Sequence, residues 1–322
     1  MKSLYLLIGA AALTLTASCA RQCCDDTILD ETYVHKYGVA VPPDFWEQSG
    51  EHGAVISTMA DGVVITRSYS SGLLEGETTY SFPHSSQTQK KELYTQGTMI
   101  RFIELYFDGT PQIETVLDAP SPGMKTISTW YLSGTPRSVE QFNGDRLYIA
   151  EYYTPANQRD AWVENYQGKR LVRDDYGQLI ATDTIEDGLL SSRTSYHPNG
   201  SPKELVPYEN GSVSGERRTY HPAGEPNTVE QWSDGNQHGV SMIYLHGERY
   251  AEVPFNNGKR QGVERRYRDG DQLAQEITWD NDQMHGQATT YVNDISKTEW
   301  YYRGSAITKT DYDFKMSRPP VR

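Results

Sequence analysis

Histidines are the residues of this chain that first suggest chemistry, because an imidazole can bind a metal or transfer a proton. Two of the eight, His238 and His285, occupy the same place, directly before a glycine of a repeated motif. His197 and His221 share another place, directly after a tyrosine. Metal ligands have to converge, whereas these histidines recur along an axis, so we interpret them as parts of turns. The remaining four show no relation to one another: His35, His52, His84 and His246.

Two carboxylate clusters, Asp174-Asp175 and Asp280–Asp282, could serve acid/base catalysis or hold Ca²⁺. Asp280–Asp282 falls in a turn of the repeat, and Asp174-Asp175 fits a solvated strand end. The Gly-x-Ser-x-Gly elbow of many hydrolases is absent from the sequence. We therefore predict no enzyme activity and no catalytic, metal-binding or cofactor-binding residue. An isolated active site between strands is the alternative.

The strongest pattern is a repeat of 22–24 residues. Trp232, Phe255, Trp279 and Tyr301 follow one another at spacings of 23, 24 and 22 residues, and Tyr208 precedes Trp232 by 24. An aromatic residue is followed by a turn glycine, a second glycine and a tyrosine. Residues that return with such a period are predicted to be scaffold. The predicted scaffold positions are Tyr208, Gly211, Gly215, Tyr220, Trp232, Gly235, Gly239, Tyr244, Phe255, Gly258, Gly262, Tyr267, Trp279, Gly286 and Tyr291.

Each repeat predicts two short strands and two turns, because Asp-Gly, Asn-Gly and Pro-x-Gly are turn sequences. A second signature, Tyr220-His-Pro-Ala-Gly224-Glu-Pro226, places a proline where the next strand begins. The predicted fold is all-β, an elongated array of β-hairpin repeats in a single twisted sheet. The repeat domain spans residues 69–302. Residues 31–68 are predicted to cap its open end, and 303–322 to form a frayed C-terminal tail.

The motif Gly-x-x-x-Gly-x-x-x-x-Tyr, repeated with a following glycine turn, resembles the MORN-variant repeat of the YwqK-like bacterial family. The resemblance covers residues 187–302 well and 69–186 partly; Asp282 departs from it by replacing a turn glycine. It implies a β-hairpin repeat protein, of a kind that is often exported or lipidated and has no established enzyme activity. Some members carry an antitoxin label.

The N-terminus has the marks of an export signal. Lys2 precedes an apolar run of roughly a dozen residues, shorter than the ~20 that a membrane-spanning helix needs. Small residues then precede Cys19, which resembles the lipidation site of bacterial lipoproteins. Residues 1–18 are the predicted signal peptide and 19–30 a tether. Ala20, rather than Asp, follows the cysteine, and this resembles lipoproteins that are sorted to the outer membrane. Ordinary secretion and an uncleaved anchor are the alternatives.

Composition agrees with an exported, well-solvated chain. The net charge of −13 becomes −14 when Lys2 is lost, which disfavours nucleic acid and anionic lipid headgroups as partners. Hydrophobic residues make up 36%, below the ~45–50% usual for globular domains, and a sheet solvated on one face needs fewer. Cys23 and Cys24 lie beside the predicted anchor, so the body of the chain has no disulfide framework.

The sequence predicts a non-catalytic lipoprotein of the bacterial cell envelope, anchored by its lipid in the outer membrane. Its repeat surface would bind another envelope protein. The first alternative is a glycan- or peptidoglycan-binding protein. Solvent-facing tryptophans would favour that alternative, namely Trp130, Trp162, Trp232, Trp279 and Trp300, but the repeat predicts that Trp232 and Trp279 are buried. An antitoxin-type protein is the third possibility, and the export signal argues against it.

Overall fold

The computed structural model describes residues 27–117, 123–293 and 295–317. Within these residues the chain forms 29 β-strands and two short helices, and strand pairing assigns the strands to one antiparallel sheet. The predicted all-β array of hairpins is confirmed. No helix of the described ranges is both long and apolar enough to span a bilayer.

The chain divides into two compact units. Unit 1 comprises the described residues up to 178 together with 185–189, and unit 2 comprises 179–184 and the described residues from 190. The elements of unit 1 are β1 (Ile28–His35), β2 (Ala40–Val41), α1 (Pro43–Gln48), β3 (Gly53–Met59), β4 (Val64–Ser70), β5 (Leu73–Leu74), β6 (Gly76–Ser81), β7 (Thr88–Thr95), β8 (Thr98–Leu105), β9 (Pro111–Leu117), β10 (Met124–Trp130), β11 (Pro136–Asn143), β12 (Arg146–Tyr153), β13 (Arg159–Glu164) and β14 (Gln167–Arg173).

Two strands have residues in both units, β15 (Leu179–Glu186) and β16 (Leu189–Tyr196). The other elements of unit 2 are β17 (Pro202–Glu209), β18 (Ser212–Val213), β19 (Gly215–Tyr220), β20 (Pro226–Ser233), β21 (Asn236–Gln237), β22 (Gly239–Leu245), β23 (Glu248–Asn256), β24 (Lys259–Arg260), β25 (Gly262–Arg268), β26 (Gln272–Asp280), β27 (Gln283–Val292), β28 (Ile295–Tyr302), β29 (Ser305–Ile307) and α2 (Lys309–Met316).

The first kind of turn in each repeat is a two-residue hairpin loop. Asp234 and Gly235 connect β20 to β21 with φ angles of 49° and 79°. Two left-handed residues in this place match the twist of the flanking strands. In the last full repeat Asn281 and Asp282 take φ angles of 49° and 64°. Asp282 therefore adopts the conformation of the glycine it replaces, which Asp and Asn tolerate better than other residues with a Cβ.

The second kind of turn contains the Tyr-His-Pro-x-Gly signature. The N–H of His221 donates to the carbonyl of Glu225 at 2.8 Å, and the N–H of Gly224 donates to the carbonyl of His221 at 2.8 Å. The pairing register shifts between Thr219 and Tyr220, as in a turn closed by a bulge. β20 then begins at Pro226, as the sequence predicted.

The two faces of the sheet differ in burial. In unit 2 one face carries a line of directly opposed side chains, here called the central row, and this face is called the buried face. The central row consists of Val206, Arg217, Glu230, Ser241, Val253, Glu264, Ile277 and Ala288. The opposite, open face presents exposed residues such as Arg218, Val240, Val263 and Arg265. Alternation along each strand therefore separates the structural residues from those that meet solvent.

Unit 1 has a corresponding central row on its own strands. It consists of Val55, Arg67, Thr78, Glu92, Phe102, Thr115, Ile127, Glu140, Ala150 and Val163. Polar and apolar residues mix in this row: Arg67, Glu92 and Glu140 make side-chain hydrogen bonds, whereas the buried hydroxyl of Thr78 has no partner in the structure. The core is consequently a strip along the sheet, consistent with the low apolar content of the sequence.

The ends of the described chain contain the two helices. Trp46 of α1 is buried and meets the ring of Tyr33 at 5.8 Å and that of Tyr69 at 6.2 Å. The segment predicted as a cap thus contains α1, and it also contributes the paired strands β3 and β4. The frayed tail predicted after residue 302 is wrong for residues 305–316, which form β29 and α2. Thr308 caps α2 by accepting from the N–H of Asp311.

Candidate functional site

Two aromatic residues of the repeat, Trp232 and Trp279, donate hydrogen bonds to carboxylates of the central row. Trp279 is 8% exposed and packs with Ile277 and Ala288. Its indole N–H donates to Oε2 of Glu264 at 2.7 Å. Trp232 donates in the same way to Glu230 at 2.9 Å, but it is half-buried. Burial of Trp279 is confirmed, whereas Trp232 is more open than its place in the repeat predicted.

The tyrosines among the predicted scaffold positions are all half-buried: Tyr208, Tyr220, Tyr244, Tyr267 and Tyr291. The guanidinium of Arg249 lies 4.1 Å from the ring centroid of Tyr267. The hydroxyl of Tyr291 donates to Glu276 at 2.9 Å, and this bond raises the pKa of Tyr291. Burial raises the pKa of Tyr208 and of Tyr267. These tyrosines serve as amphipathic packing residues.

The glycines of the repeat occupy two structural places. Gly211, Gly235 and Gly258 form the hairpin loops, while Gly215, Gly239 and Gly262 begin strands and Gly286 lies within β27. The loops of successive repeats are bonded to one another. The N–H of Gly235 donates to Val213 at 2.9 Å, that of Gly258 to Gln237 at 2.8 Å, and that of Asp282 to Arg260 at 3.1 Å. Each loop is thus positioned by the preceding repeat.

The carboxylates of the central row are neutralised by neighbours. Oε1 of Glu264, which is 3% exposed, accepts from Nε of Arg266 at 2.6 Å. Oε2 of Glu230 accepts from Nη1 of Arg217 at 2.7 Å. A buried carboxylate without such partners would be costly. The pairs therefore hold the buried face together, and they leave its charge locally balanced.

Sequence reasoning missed these residues, although a signal for them exists. The residue two places after the second glycine always lies on the central row: Thr78, Arg217, Ser241, Glu264 and Ala288. The glycines themselves, Gly76, Gly215, Gly239, Gly262 and Gly286, recur unchanged, while this place varies in size and polarity. Because this position varies while the glycines stay constant, its side chain can give each repeat different contacts.

Unit 1 contains a related carboxylate site around Glu92. Tyr80 and Tyr94 both donate to Oε2 of Glu92 at 3.0 Å, and Nζ of Lys90 lies 2.7 Å from Oε1. Burial favours the neutral acid, but Lys90 and the two hydroxyls outweigh it and lower the pKa of Glu92. Burial and the bond to Glu92 raise the pKa of Tyr94 to about 12. Glu92 is therefore ionised and unsuited to act as a general acid.

The carboxylate clusters seen in the sequence have structural partners. Oδ1 of Asp174 accepts from the N–H groups of Tyr176 and Gln178 within a turn. Asp175 accepts from Arg137 at 3.0 Å. Oδ1 of Asp282 accepts from the N–H of Arg260 at 2.9 Å. Within the described ranges, no three or more His, Cys, Asp or Glu side chains gather as a metal site would need.

Two of the periodic histidines link neighbouring elements. Nε2 of His197 lies 2.9 Å from the carbonyl of Tyr220, which is in the next repeat. The ring of His285 lies 5.0 Å from that of Tyr302 and 5.7 Å from that of Tyr312 on α2. These contacts support the interpretation of the repeated histidines as structural.

An open aromatic cavity lies in unit 1, beside strands β4, β6, β7 and β8. Its volume is about 490 Å³. Phe82 and Phe107 meet edge to face at 5.1 Å, and Phe107 remains 60% exposed. Asp61, Lys90 and Glu104 supply charged groups at the lining. A concave apolar surface with a few polar groups is the usual form of a binding pocket.

A second cavity, here called the Ser241 cavity, lies on the buried face of unit 2 with a volume of about 350 Å³. It is lined by both polar and apolar groups of β20, β22, β23 and β25. Ser241, Glu230 and Glu264 belong to the central row, and Tyr250 and Phe255 supply aromatic surface.

Tryptophan exposure bears on the glycan-binding alternative. Trp162 is 54% exposed and has the guanidinium of Arg159 5.3 Å from its ring. Trp279 is buried, and Trp130, Trp232 and Trp300 are half-buried. A continuous row of solvent-facing tryptophans is therefore absent from the described strands.

The predicted export features lie outside the described residues. They include the signal peptide of residues 1–18, Cys19 with its lipid, and Cys23 and Cys24. The lipid anchor thus stays a prediction of the sequence.

No protein-family model matches the chain, and no curated protein matches it. Among solved structures, a porin-like protein from Bacteroides uniformis ATCC 8492 is similar at 10% identity, over 76% of this chain and 88% of that chain. The TM-score is 0.16, so this likeness carries no argument about fold or function.

Proposed function

We propose that this chain is a non-catalytic lipoprotein of the bacterial cell envelope that binds another envelope protein through its sheet of MORN-variant hairpin repeats. Lipid on Cys19 anchors it, in the outer membrane. Its partners are that protein and the membrane around the anchor, with no nucleic acid and no cofactor. The observation that carries the proposal is the open aromatic cavity of unit 1.

That cavity has the features of a protein-binding hot spot. Phe82 and Phe107 form an aromatic wall, and Phe107 is largely exposed in a chain whose other aromatic residues mostly pack. A volume of about 490 Å³ is large enough for an apolar anchor side chain of a partner. Asp61 and Glu104 at the lining add polar contacts of the kind that surround such anchors.

The absence of catalysis in the proposal rests on how the buried carboxylates are used. Glu92, Glu230 and Glu264 each accept bonds from neighbouring side chains, and the pKa of Glu92 is lowered. Groups held in this way support a scaffold. A glycan-binding row of tryptophans is the weaker candidate, because only Trp162 among the tryptophans of the described chain is exposed. An antitoxin role is weaker still, since the export signal places the chain outside the cytosol.

The test of partner binding is site-specific photocrosslinking in living cells. A photoreactive phenylalanine replaces Phe107, and the matched control places it at Tyr176, an exposed aromatic of the same unit outside the cavity. We expect a discrete crosslinked protein at position 107 that is absent at position 176, and its loss when Phe82→Ala is added. Equal labelling at the two positions, or none at 107, would refute this use of the cavity.

The anchor is tested separately by intact-mass analysis of detergent-extracted protein. Wild type should begin at Cys19 and carry the added mass of acyl chains, and Cys19→Ala should lack that mass. Two or more acyl chains hold a protein firmly in a membrane, at about 0.8 kcal/mol per buried methylene. A mature wild-type mass without acyl chains would move the protein to the soluble periplasm.

A further inference from the structure

The Ser241 cavity contains a polar group that the fold leaves unused. Ser241 is 4% exposed, and its Oγ has no hydrogen-bond partner in the structure. Buried hydroxyls are nearly always bonded, so one without a partner calls for an explanation. Ser241 lines the cavity, and a bound ligand could therefore supply the missing bond.

The side chain at the place of Ser241 differs between neighbouring repeats. Its equivalents in the neighbouring repeats are Arg217 and Glu264, and both of these make ion pairs within the buried face. The register puts Ser241 opposite Glu230 on one side and Val253 on the other. Ser241 has a shorter side chain than Arg217 or Glu264, and the Ser241 cavity lies at this place on the central row.

Two carboxylates that line the cavity, those of Glu230 and Glu264, can accept further hydrogen bonds. Each oxygen of Glu264 accepts one bond, from Arg266 or from Trp279, and a carboxylate oxygen has about two lone pairs. Glu230 accepts from Arg217 and Trp232 through Oε2 and from Thr228 through Oε1. A ligand that donates hydrogen bonds can therefore join either carboxylate without breaking its ion pair.

The cavity offers an apolar surface and little net charge. Ile243, Tyr250, Val253 and Phe255 line it together with the polar groups. Its two glutamates are matched by two arginines, Arg260 and Arg266. Balanced charge gives no advantage to an anion or a cation, and a wholly apolar ligand would leave Ser241 unbonded.

We propose that the Ser241 cavity binds a neutral sugar unit. Hydroxyls of a sugar ring donate and accept at once, which suits a free serine beside paired carboxylates, and the C–H face of the ring packs on apolar and aromatic side chains. A volume of about 350 Å³ fits one such ring. This site is separate from the aromatic cavity of unit 1 and does not depend on protein binding there.

Binding is measured on the full-length protein in a sugar-free detergent by saturation-transfer NMR. The probes are glucose, galactose, mannose and N-acetylglucosamine at about 10 mM, which would fill a site of roughly millimolar affinity. We expect at least one sugar to bind, and Ser241→Ala to weaken it about fivefold to tenfold. Ser233→Ala changes an exposed serine of β20 outside the cavity and should leave binding unchanged.

A stability measurement distinguishes ligand binding from a structural role. Without sugar, Ser241→Ala should unfold at the same or a higher temperature than wild type, because the removed hydroxyl has no partner to lose. The proposal is overturned if no sugar binds, if Ser241→Ala binds as tightly as wild type, or if the alanine variant is markedly less stable. Stronger binding of glucose 6-phosphate than of glucose would likewise overturn the neutral class. Photocrosslinking at position 107 is unaffected by any of these outcomes.

Discussion

Replacing Trp279 by alanine should be among the most damaging single changes in unit 2. The indole packs with Ile277 and Ala288, and the guanidinium of Arg260 lies 3.6 Å from its ring centroid. Its N–H is also one of the two bonds to the nearly inaccessible Glu264. Removal of this ring leaves a cavity, removes the aromatic surface under Arg260 and leaves one oxygen of a buried carboxylate without a donor.

The magnitude follows from these separate losses. Truncation of a buried tryptophan to alanine costs about 3–5 kcal/mol of unfolding free energy. Trp279→Phe keeps most of the ring but removes the N–H, so it isolates the unsatisfied carboxylate oxygen at about 1–3 kcal/mol. Trp162→Ala is the matched control. Its ring is exposed on the other face of its strand from buried Ala161 and Val163, so we expect a loss of only about 0.5 kcal/mol.

Unfolding in urea, followed by far-UV circular dichroism, gives the free energies without relying on tryptophan fluorescence. Repeat proteins can open locally, so amide hydrogen exchange on β25, β26 and β27 should show where protection is lost. The reasoning is refuted if Trp279→Ala and Trp162→Ala lose the same free energy. It is also refuted if Trp279→Phe matches wild type, because the bond to Glu264 would then contribute nothing.

Three further predictions concern a turn and the Glu92 site. Asp282→Ala should lower the midpoint of urea unfolding, since alanine keeps the strained φ and loses the bond from Arg260; Asp282→Gly, which relieves the strain, should lower the midpoint less. The lowered pKa of Glu92 means that its contribution is full above about pH 4.5 and is lost as pH falls through the folded-state pKa, so Glu92→Gln should flatten the acid side of the stability curve. Tyr94, with its pKa raised to about 12, contributes fully below pH 10 and loses this as pH rises through 12; an unchanged alkaline slope in Tyr94→Phe would contradict the bond to Glu92.

Local sequence was sufficient to predict the hairpins. Asp234-Gly235 and the Pro-x-Gly segment before Pro226 specify backbone conformations that few other residues adopt, so they reveal turns without knowledge of distant contacts. Asp282 departs from the motif in the sequence, and the structure shows that it takes the left-handed conformation of the glycine it replaces. By contrast, α2 has eight residues, too few for a helical period to stand out, and its packing on Trp300 and His285 was not predictable.

The composition of the central row was the main feature that sequence reasoning did not anticipate. Segments such as Gly262–Arg268 have a mixed charged pattern that favours a half-exposed strand, yet Glu264 is almost fully buried. Its burial depends on Trp279, Arg266 and Ile277, which β25 and its partner strand bring together. The sequence of one strand does not show which side chains the neighbouring strands will place against it.

The amino-acid sequence by itself determined the all-β class, the 22–24-residue period and the positions of the turns, because these depend on backbone preferences and on spacing along the chain. It also predicts an export signal, whose residues lie outside the described structure. Only the tertiary structure decided which face is buried, which carboxylates are paired and that Ser241 has no partner. These properties depend on side chains of neighbouring strands, such as Arg217 with Glu230 and Trp279 with Glu264, and only cross-strand pairing brings these side chains into contact.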